Sequence, residues 1–451
     1  MVKIQSIARS TEANTRERSG DRFVVRRNPD PVLHPFERAR EYVRALNATK
    51  LDRMFAKPFV ANLEGHRDGI YALSTDPHSL HTVVTGSADG DLRVWDLRRQ
   101  KCAQVAKQAH KSFIRAVAMA PMKPGVFLSG SDDHFIKMWK YNSEEQVGDV
   151  QLMMTFETDE VVHSLDHHRK EPYFMSAGGA GVLEWHHDRS ESTRTFRFTA
   201  NDSYSALRIN PSQGDLFVAA GTADRSIVIG DRRMAMPVTR SVLATRSNAL
   251  AWNPMLPFTF AAANDDRKAY AFDMRRLNKP LNIYVDHVAA VMSVDYSPTG
   301  QNLVTGSYDK TLRIFDAKAP MITVHSSDVY HTMRMQRIWS VRYSSDSAYL
   351  LSGSDDGNLR LWKANAAQPL GALSARESTS LAYRQKLTER FAEMPEIKRI
   401  SRHRHLPKEI KSRARTERIH NDSQKQKAER RIKHSKSGEN LPNPRNDIVL
   451  Q

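Results

Sequence analysis

The stretch "IKRISRHRHLPKEIKSRARTERIH", Ile397 to His420, concentrates positive charge. It holds Lys398, Arg399, Arg402, Arg404, Lys408, Lys411, Arg413, Arg415 and Arg418 against two acids, Glu409 and Glu417. Lys425, Lys427, Arg430, Arg431 and Lys433 carry it on through "KQKAERRIKH". Arginine outnumbers lysine six to three in the first stretch, and its planar fork suits phosphate oxygens. A short basic run is often a solvated face or a nuclear import signal of 5–8 residues. This one continues for about 35 residues, so phosphate contact along an RNA is expected. If six to ten of these side chains neutralise phosphates, affinity should fall roughly 10³–10⁵-fold between 50 and 200 mM salt. Aromatics for stacking are nearly absent from the segment, so no base specificity is expected.

Catalytic templates fit nowhere. There is no Walker-type loop, no nucleophile elbow and no His-Glu-x-x-His. The histidine clusters are His167-His168, His186-His187 and His403-x-His405. Adjacent histidines on a strand point to opposite faces, so neither of the first two pairs chelates by itself. A non-enzyme without metal or cofactor is expected. The single cysteine, Cys102, excludes an intramolecular disulfide and points to a reducing compartment, cytosol or nucleus. Apolar runs are strand-sized, well short of the roughly 18 residues a membrane helix needs. The start, "MVKIQSIARSTEANTRERSG", has no apolar signal core, so no secretion or membrane partner is expected.

The net charge of +17 is unevenly divided. Residues 1–60 hold 13 Lys/Arg and 7 Asp/Glu, residues 61–375 hold 35 and 34, and residues 376–451 hold 20 and 10. A neutral body with cationic ends suits a polyanionic partner.

The body is a repeat. Trp95, Trp139, Trp185, Gly230, Phe272, Phe315 and Trp362 follow one another at intervals of 44, 46, 45, 42, 43 and 47 residues, near the ~40–45 of a four-stranded propeller blade. Six positions before these anchors stand Asp89, Asp133, Gly179, Asp224, Asp266, Asp309 and Asp356. Gly65-His66, Ala109-His110 and Asp286-His287 open three of the repeats. The phrases "VVTGSADGDLRVWD" and "LVTGSYDKTLRIFD" read as two short strands about a turn. The aspartate is expected to hold the turn amides and the histidine, and the aromatic to pack against the next blade. Recurrence assigns His66, Asp89, Trp95 and their equivalents to structure rather than to site chemistry. "SAGGAGVLEWHHD" lacks the aspartate and "GTADRSIVIGDRR" lacks the aromatic, which makes the third and fourth units degenerate.

These units resemble the WD-repeat family over about residues 61–363. That resemblance implies an all-β seven-bladed WD-repeat β-propeller, here with an N-terminal helical arm and a basic α-helical C-terminal extension. "PFVANL" is expected to supply a closing strand, Phe59–Leu63, to the last blade. The expected divisions are an arm at 1–58, the propeller at 59–365, a basic helical region at 366–436 and an extended tail at 437–451.

In the arm, "LHPFERAREYVRALN" places Pro35 at a helix start, with Phe36, Ala39, Val43 and Leu46 as its apolar stripe. A second short helix is expected over "ATKLDRMFAKPF". After the propeller, Ser378 or Thr379 is expected to cap a helix that presents Tyr383, Leu387, Phe391 and Met394 to a partner, with Pro395 stopping it.

The flanks "RRNPDPVLHPFERAREYVRALNATKLDRMFAKPFV" and "ARESTSLAYRQKLTERFAEMPEIKRISRHRHLPKEI" resemble those of the suppressor-of-fibrillarin (Sof-like) WD-repeat proteins. That family's members are nucleolar components of the small-subunit processome, assembled on precursor ribosomal RNA with its box C/D small nucleolar RNP. The resemblance implies a nuclear, nucleolar, RNA-binding scaffold for 18S rRNA processing and 40S assembly, with other processome proteins as partners. A second resemblance is to WD-repeat substrate receptors of cullin-RING ubiquitin ligases, which carry Trp-Asp-x-Arg boxes. Asp96 and Arg98, Asp231 and Arg233, and Asp273 and Arg275 would then bind a ligase adaptor. Asp and Arg two apart also pair at blade edges for small gains. The propeller's central mouth could read a peptide, but no residue in the sequence singles it out.

Overall fold

A computed structural model describes residues 32–33, 35–141, 150–179, 181–198, 203–434 and 448–450. Seven sheets follow one another as blades of a β-propeller, over 70–106, 114–157, 162–196, 204–242, 247–284, 291–330 and 338–363. Each is built on an antiparallel meander of short strands, and the fifth gains a two-residue strand, Thr323–Val324, that comes from the sixth repeat and pairs parallel with Asn282–Tyr284. The last blade has three strands of its own. Its fourth is Phe59–Leu63, which pairs antiparallel with Leu359–Lys363 in the register Phe59↔Trp362 and Leu63↔Leu359. Leu63 is buried there beside Leu359 and Leu361.

One irregularity recurs in all seven blades. The register of the innermost strand slips between its first and third residues, from Ile70/Ala72 in the first blade to Ile338/Ser340 in the last. A bulge of this kind re-aims the extra side chain. Here the extra residue is the second of the strand, and what it faces is described below.

The core lies between blades. Trp139 packs with Val84, Leu92 and Val94 of the blade before it. Trp185 packs with Leu128 and Met138, and Phe315 with Ala261 and Ala271. The anchor aromatic therefore meets the preceding blade, not the next as the repeat suggested: it stands on a blade's third strand, whose buried face looks back along the ring. Gly230, the missing aromatic, lies opposite Phe217. The Phe217 ring occupies the space a side chain at 230 would need, so the neighbouring strand fills the gap. At Gly179, the missing aspartate, the Glu160 carboxylate enters the corresponding space from the preceding loop.

The chain forms two compact units, one of residues up to Pro58 with Asn365–His405, the other of Phe59–Ala364 with Leu406 onward. The basic C-terminal region, expected as one piece over 366–436, is thus divided at His405.

The first unit is helical: α1 (Glu37–Met54), α2 (Ala375–Arg390) and α3 (Pro395–Arg402). Ala45, Leu387 and Ile397 form its core, with Tyr42, Leu46, Tyr383 and Phe391 around them. Arg390 to Glu41 at 2.7 Å and Tyr42 Oη donating to Glu396 at 3.1 Å tie the helices at the surface. Several expectations are corrected here. The arm holds one continuous helix, not two, since nothing in "NATK" breaks it. Phe36 and Val43 are 67% and 51% exposed, and the face that packs carries Tyr42, Ala45 and Thr49. Ser374, not Ser378 or Thr379, caps α2 through a reciprocal box with Glu377. Pro395 begins α3 at a position that needs no amide, instead of only ending α2. The stripe expected to take a partner is covered from within: Leu387 is buried against Ala45 and Ile397. Met394 does not join it and is 44% exposed.

The 437–451 reading, like that of residues 1–31, falls mainly outside the described residues. Of the tail, Ile448–Leu450 lies along the outer edge of the fourth blade. Ala244 donates to the Ile448 carbonyl at 2.9 Å and Leu450 to that of Val242 at 2.8 Å. Ile448 is buried in the blade's core with Leu243.

Candidate nucleic-acid interface

The basic residues after His405 stand on one long helix, α4 (Lys408–His434). It has ten Lys/Arg against four Asp/Glu, and Glu409 in its first turn and Arg431 and Lys433 in its last suit the helix dipole. Lys408, Lys411, Arg413, Arg415, Arg418, Lys425, Lys427, Arg430, Arg431 and Lys433 are all exposed. Ile410, Ala414, Glu417, Ala428 and Ile432 are less exposed and fall on one face by helical periodicity. The cations occupy the remaining surface. Glu417 forms an ion pair with Arg267, in a turn of the fifth blade, so one acid of the helix anchors it and leaves its cations outward.

The remaining four cations belong to the helical unit. Arg399 and Arg402 are exposed. Lys398 pairs with Glu393 at 3.5 Å. Arg404 donates to the Ser401 and His403 carbonyls, satisfying the end of α3. Arg404 therefore has a local structural task.

The repeat aspartates hold turns. In the sixth blade His287 Nδ1 lies 2.8 Å from Asp309, and its Nε2 lies 2.7 Å from Thr305 Oγ1. In the second, His110 Nδ1 lies 2.9 Å from Asp133 and its Nε2 2.7 Å from Ser129 Oγ, to which Trp139 Nε1 donates at 2.9 Å. In the first, Trp95 Nε1 donates to Thr85 and His66 reaches the same hydroxyl, while Asp89 accepts the Arg67 and Asp91 amides. Asp356 pairs with Arg360, Asp224 with Arg240 at 2.9 Å, and Asp266 accepts from Tyr270. Trp362 donates to Ser352 at 2.8 Å.

Asp96, Asp231 and Asp273 each accept the amide two residues on, at 2.9 Å, closing the turn after a third strand. Asp316 does the same where Lys318 replaces the arginine. The arginines differ: Arg98 is exposed, Arg233 folds back onto Asp231 at 2.8 Å, and Arg275 lies 3.5 Å from the Phe258 ring centroid.

His167 and His187, from two separate clusters, meet with their Nε2 atoms 2.7 Å apart. His167 Nδ1 donates to the His168 carbonyl, so its Nε2 accepts from His187. Burial pushes both down to about 4. Among the described residues no group of three metal-ligating side chains forms.

The bulges supply a site that the repeat anchors do not show. Their seven residues are Tyr71, Arg115, His163, Ser205, Asn248, Met292 and Trp339, and all line one cavity of about 430 Å³ at the mouth of the central channel. They stand 22–25 residues before the anchors, an offset legible in the sequence once the bulge is known. Tyr71 and Trp339 lie 4.3 Å apart by ring centroids, Tyr308 meets Trp339 at 5.1 Å, and Phe113 stacks beside Tyr71 at 6.2 Å. Arg208, Arg246 and Arg342 join Arg115 in the lining, which contains no carboxylate. Each has a carboxylate partner outside that lining: Asp132 for Arg115 at 2.9 Å, Asp265 for Arg246 at 2.5 Å, Asp166 for Arg208 at 3.4 Å and Asp295 for Arg342 at 3.2 Å. Burial and the neighbouring Arg342 push Arg208 down to about 10.

Residues 364–447 match the Sof1-like domain, residues 278–316 and 326–363 the WD domain G-beta repeat, and residues 37–179 the nucleolar protein 10-like N-terminal domain. The chain is 44% identical to DDB1- and CUL4-associated factor 13 of Xenopus laevis, over 97% of this chain and 96% of that one. The same-named protein of Homo sapiens is 43% identical with the same coverage. Protein SOF1 of Saccharomyces cerevisiae is 41% identical over 91% of this chain and 87% of its own. With these likenesses running through propeller and helices alike, the chain belongs to the Sof1-like WD-repeat family.

Proposed function

We propose that this protein is a non-enzymatic scaffold of ribosome biogenesis in the nucleolus. It works within the small-subunit processome, where it supports maturation of precursor rRNA to 18S rRNA and 40S assembly. The propeller presents its faces to other processome proteins and the box C/D small nucleolar RNP, while α4 lies along the phosphates of precursor rRNA. The carrying observation is α4: ten exposed cations on a helix pinned by its own Glu417 to a propeller of nearly neutral charge. Exposed arginines at that density carry a high cost in self-repulsion unless an anion neutralises them.

Deleting 397–451 is a poor test, because it strips Ile397 from the helical core and Ile448 from the fourth blade. The cleaner variant replaces Lys411, Arg413, Arg415, Arg418 and Lys425 with Gln. Cells that depend on it should accumulate 18S precursors while the protein keeps its melting temperature. Unimpaired 18S maturation contradicts the reading.

A second reading is adaptor binding to a cullin-RING ligase, which the name of the vertebrate relatives suggests. It is favoured by an apolar patch, Met234, Met236, Met255 and Leu256, each at least 50% exposed, in loops on the same face as Arg233 and Arg275. Capture of the adaptor by the intact chain and its loss in Arg233→Glu with Arg275→Glu would support this reading. Equal capture by both removes the boxes from it.

A further inference from the structure

We infer that the ring of bulge residues at the channel mouth is a stacking site for single-stranded RNA, seating unpaired bases on Trp339 and Tyr71 and phosphates against Arg115 and Arg246. This rests on the proposal that the chain binds RNA, and adds a second, chemically different contact to it.

Three observations converge. The cavity wall offers four guanidinium groups, one imidazole and no carboxylate, so it presents donors to whatever enters. Asp132 and Asp265 hold Arg115 and Arg246 by ion pairs, while Asp166 and Asp295 pair with Arg208 and Arg342 and line the adjoining cavity of the channel, outside the mouth itself. With the paired carboxylates outside the lining, the groups that face the mouth are donors, which suit phosphate oxygens.

The second observation is the aromatic row. Tyr71, Trp339 and Tyr308 of the first, seventh and sixth blades, and Phe113 of the loop entering the second, lie side by side at centroid distances of 6.2 (Phe113–Tyr71), 4.3 (Tyr71–Trp339) and 5.1 Å (Trp339–Tyr308). Arg115 stands 5.4 Å from the Tyr71 ring and Arg337 stands 5.4 Å from that of Tyr308. Most of the propeller's aromatics are sealed between blades, yet Phe113 is 42% exposed and the other three border the cavity. Flat faces interleaved with guanidinium planes are how single strands are bound without base-specific hydrogen bonds.

The third is position. Arg246 of the mouth bonds Asp265, and Arg267, two residues further along that turn, pairs with Glu417 of α4. The cationic helix is thus pinned to the face on which the mouth opens. A strand tracking α4 by its phosphates meets the aromatic row within the same unit. An acidic peptide would use the arginines but not the aromatic row, which makes RNA the better match.

The experiment is fluorescence anisotropy of the full chain with a labelled single-stranded 12-mer of uridines, an abasic strand of equal length, and an RNA duplex. Trp339→Ala with Tyr71→Ala should weaken uridine-strand binding by roughly 5- to 100-fold. The salt slope should stay as it is, and abasic-strand and duplex binding should change little. Phe113→Ala, whose ring is exposed, should weaken uridine binding with no loss of melting temperature. This guards against a folding defect in the double variant, as does Trp339→Phe, which should restore binding in part. If the α4 variant loses binding while all mouth variants bind normally, the mouth site is overturned and the scaffold reading stands. If neither variant changes binding, both are overturned. If an acidic peptide displaces the uridine strand and binds more tightly than it, the mouth is a peptide site and the inference fails.

Discussion

His287 Nδ1 stands 2.8 Å from an Asp309 carboxylate oxygen, whereas the same pair in the first blade, His66 and Asp89, is 3.7 Å apart. Asp309 is also deeper, with 9% of its surface exposed, and it accepts the Val288 and Thr311 amides. The acidic member of each pair titrates low although burial alone would raise it, because His287 with Arg313 and the Thr311 hydroxyl holds the charged form of Asp309, and His66 with the Asp91 and Arg67 amides holds that of Asp89. Removing Asp309 leaves a buried imidazole N–H and two amides without acceptors. Asp309→Ala should cost about 3 kcal/mol or more in chemical denaturation, and Asp89→Ala clearly less. Equal costs would mean that the turn, not the buried pair, carries the stability.

The neutral pair His167 and His187 sets an acid limit. Both titrate well below their usual 6.5, by burial first. The unfolded chain therefore takes up protons that the folded chain refuses. Stability from this pair is complete above pH 6.5 and declines as pH falls towards 4. His187→Phe with His167→Phe, which keeps both rings and removes both titrations, should flatten the pH dependence of the melting temperature in that window. An unchanged profile would place the acid sensitivity elsewhere.

Ring closure depends on a strand that precedes the first blade. Leu63 is 1% exposed in the seam between the first and last blades. Leu63→Ala should cost about 2–5 kcal/mol, and Leu63→Asp with Ala61→Asp, which leaves α1 intact, should also broaden the thermal transition. A double variant that melts as cooperatively as before would show that the seam closes without Phe59–Leu63.

Gly230 tests the substituted anchor. A methyl at 230 meets the Phe217 ring, so Gly230→Ala should destabilise by about 1–3 kcal/mol. Adding Phe217→Leu should recover part of it, measured as a non-additive double-mutant cycle. Strict additivity would mean that the two positions do not share the space.

What the sequence made legible was what recurs. Seven anchors and six aspartates at a fixed offset name the blade, because each blade solves one packing problem in one way. Ser374, Ser378 and Thr379 all precede the same apolar run, and only the reciprocal bond with Glu377 distinguishes Ser374 as the cap. Of the stripe Phe36, Ala39, Val43 and Leu46 only Leu46 meets the core, because the most buried positions of α1 are small residues, Ala45, Ala48 and Thr49, whose burial leaves little trace in a hydrophobic period. The mouth was hidden for a different reason. Its seven residues share a backbone device, a bulge, and no common side-chain chemistry. Tyr71 and Trp339 read along the chain as ordinary strand residues.

The division between a neutral wheel and a cationic helix is tested most directly by the salt dependence of RNA affinity for the full chain. Between 50 and 200 mM salt the intact protein should lose affinity on the order of 10³-fold or more. The variant with five α4 cations replaced by Gln should bind more weakly at low salt, with its slope lowered by about 3–4. Equal slopes for the two proteins would show that α4 does not lie along phosphates, and would contradict the account.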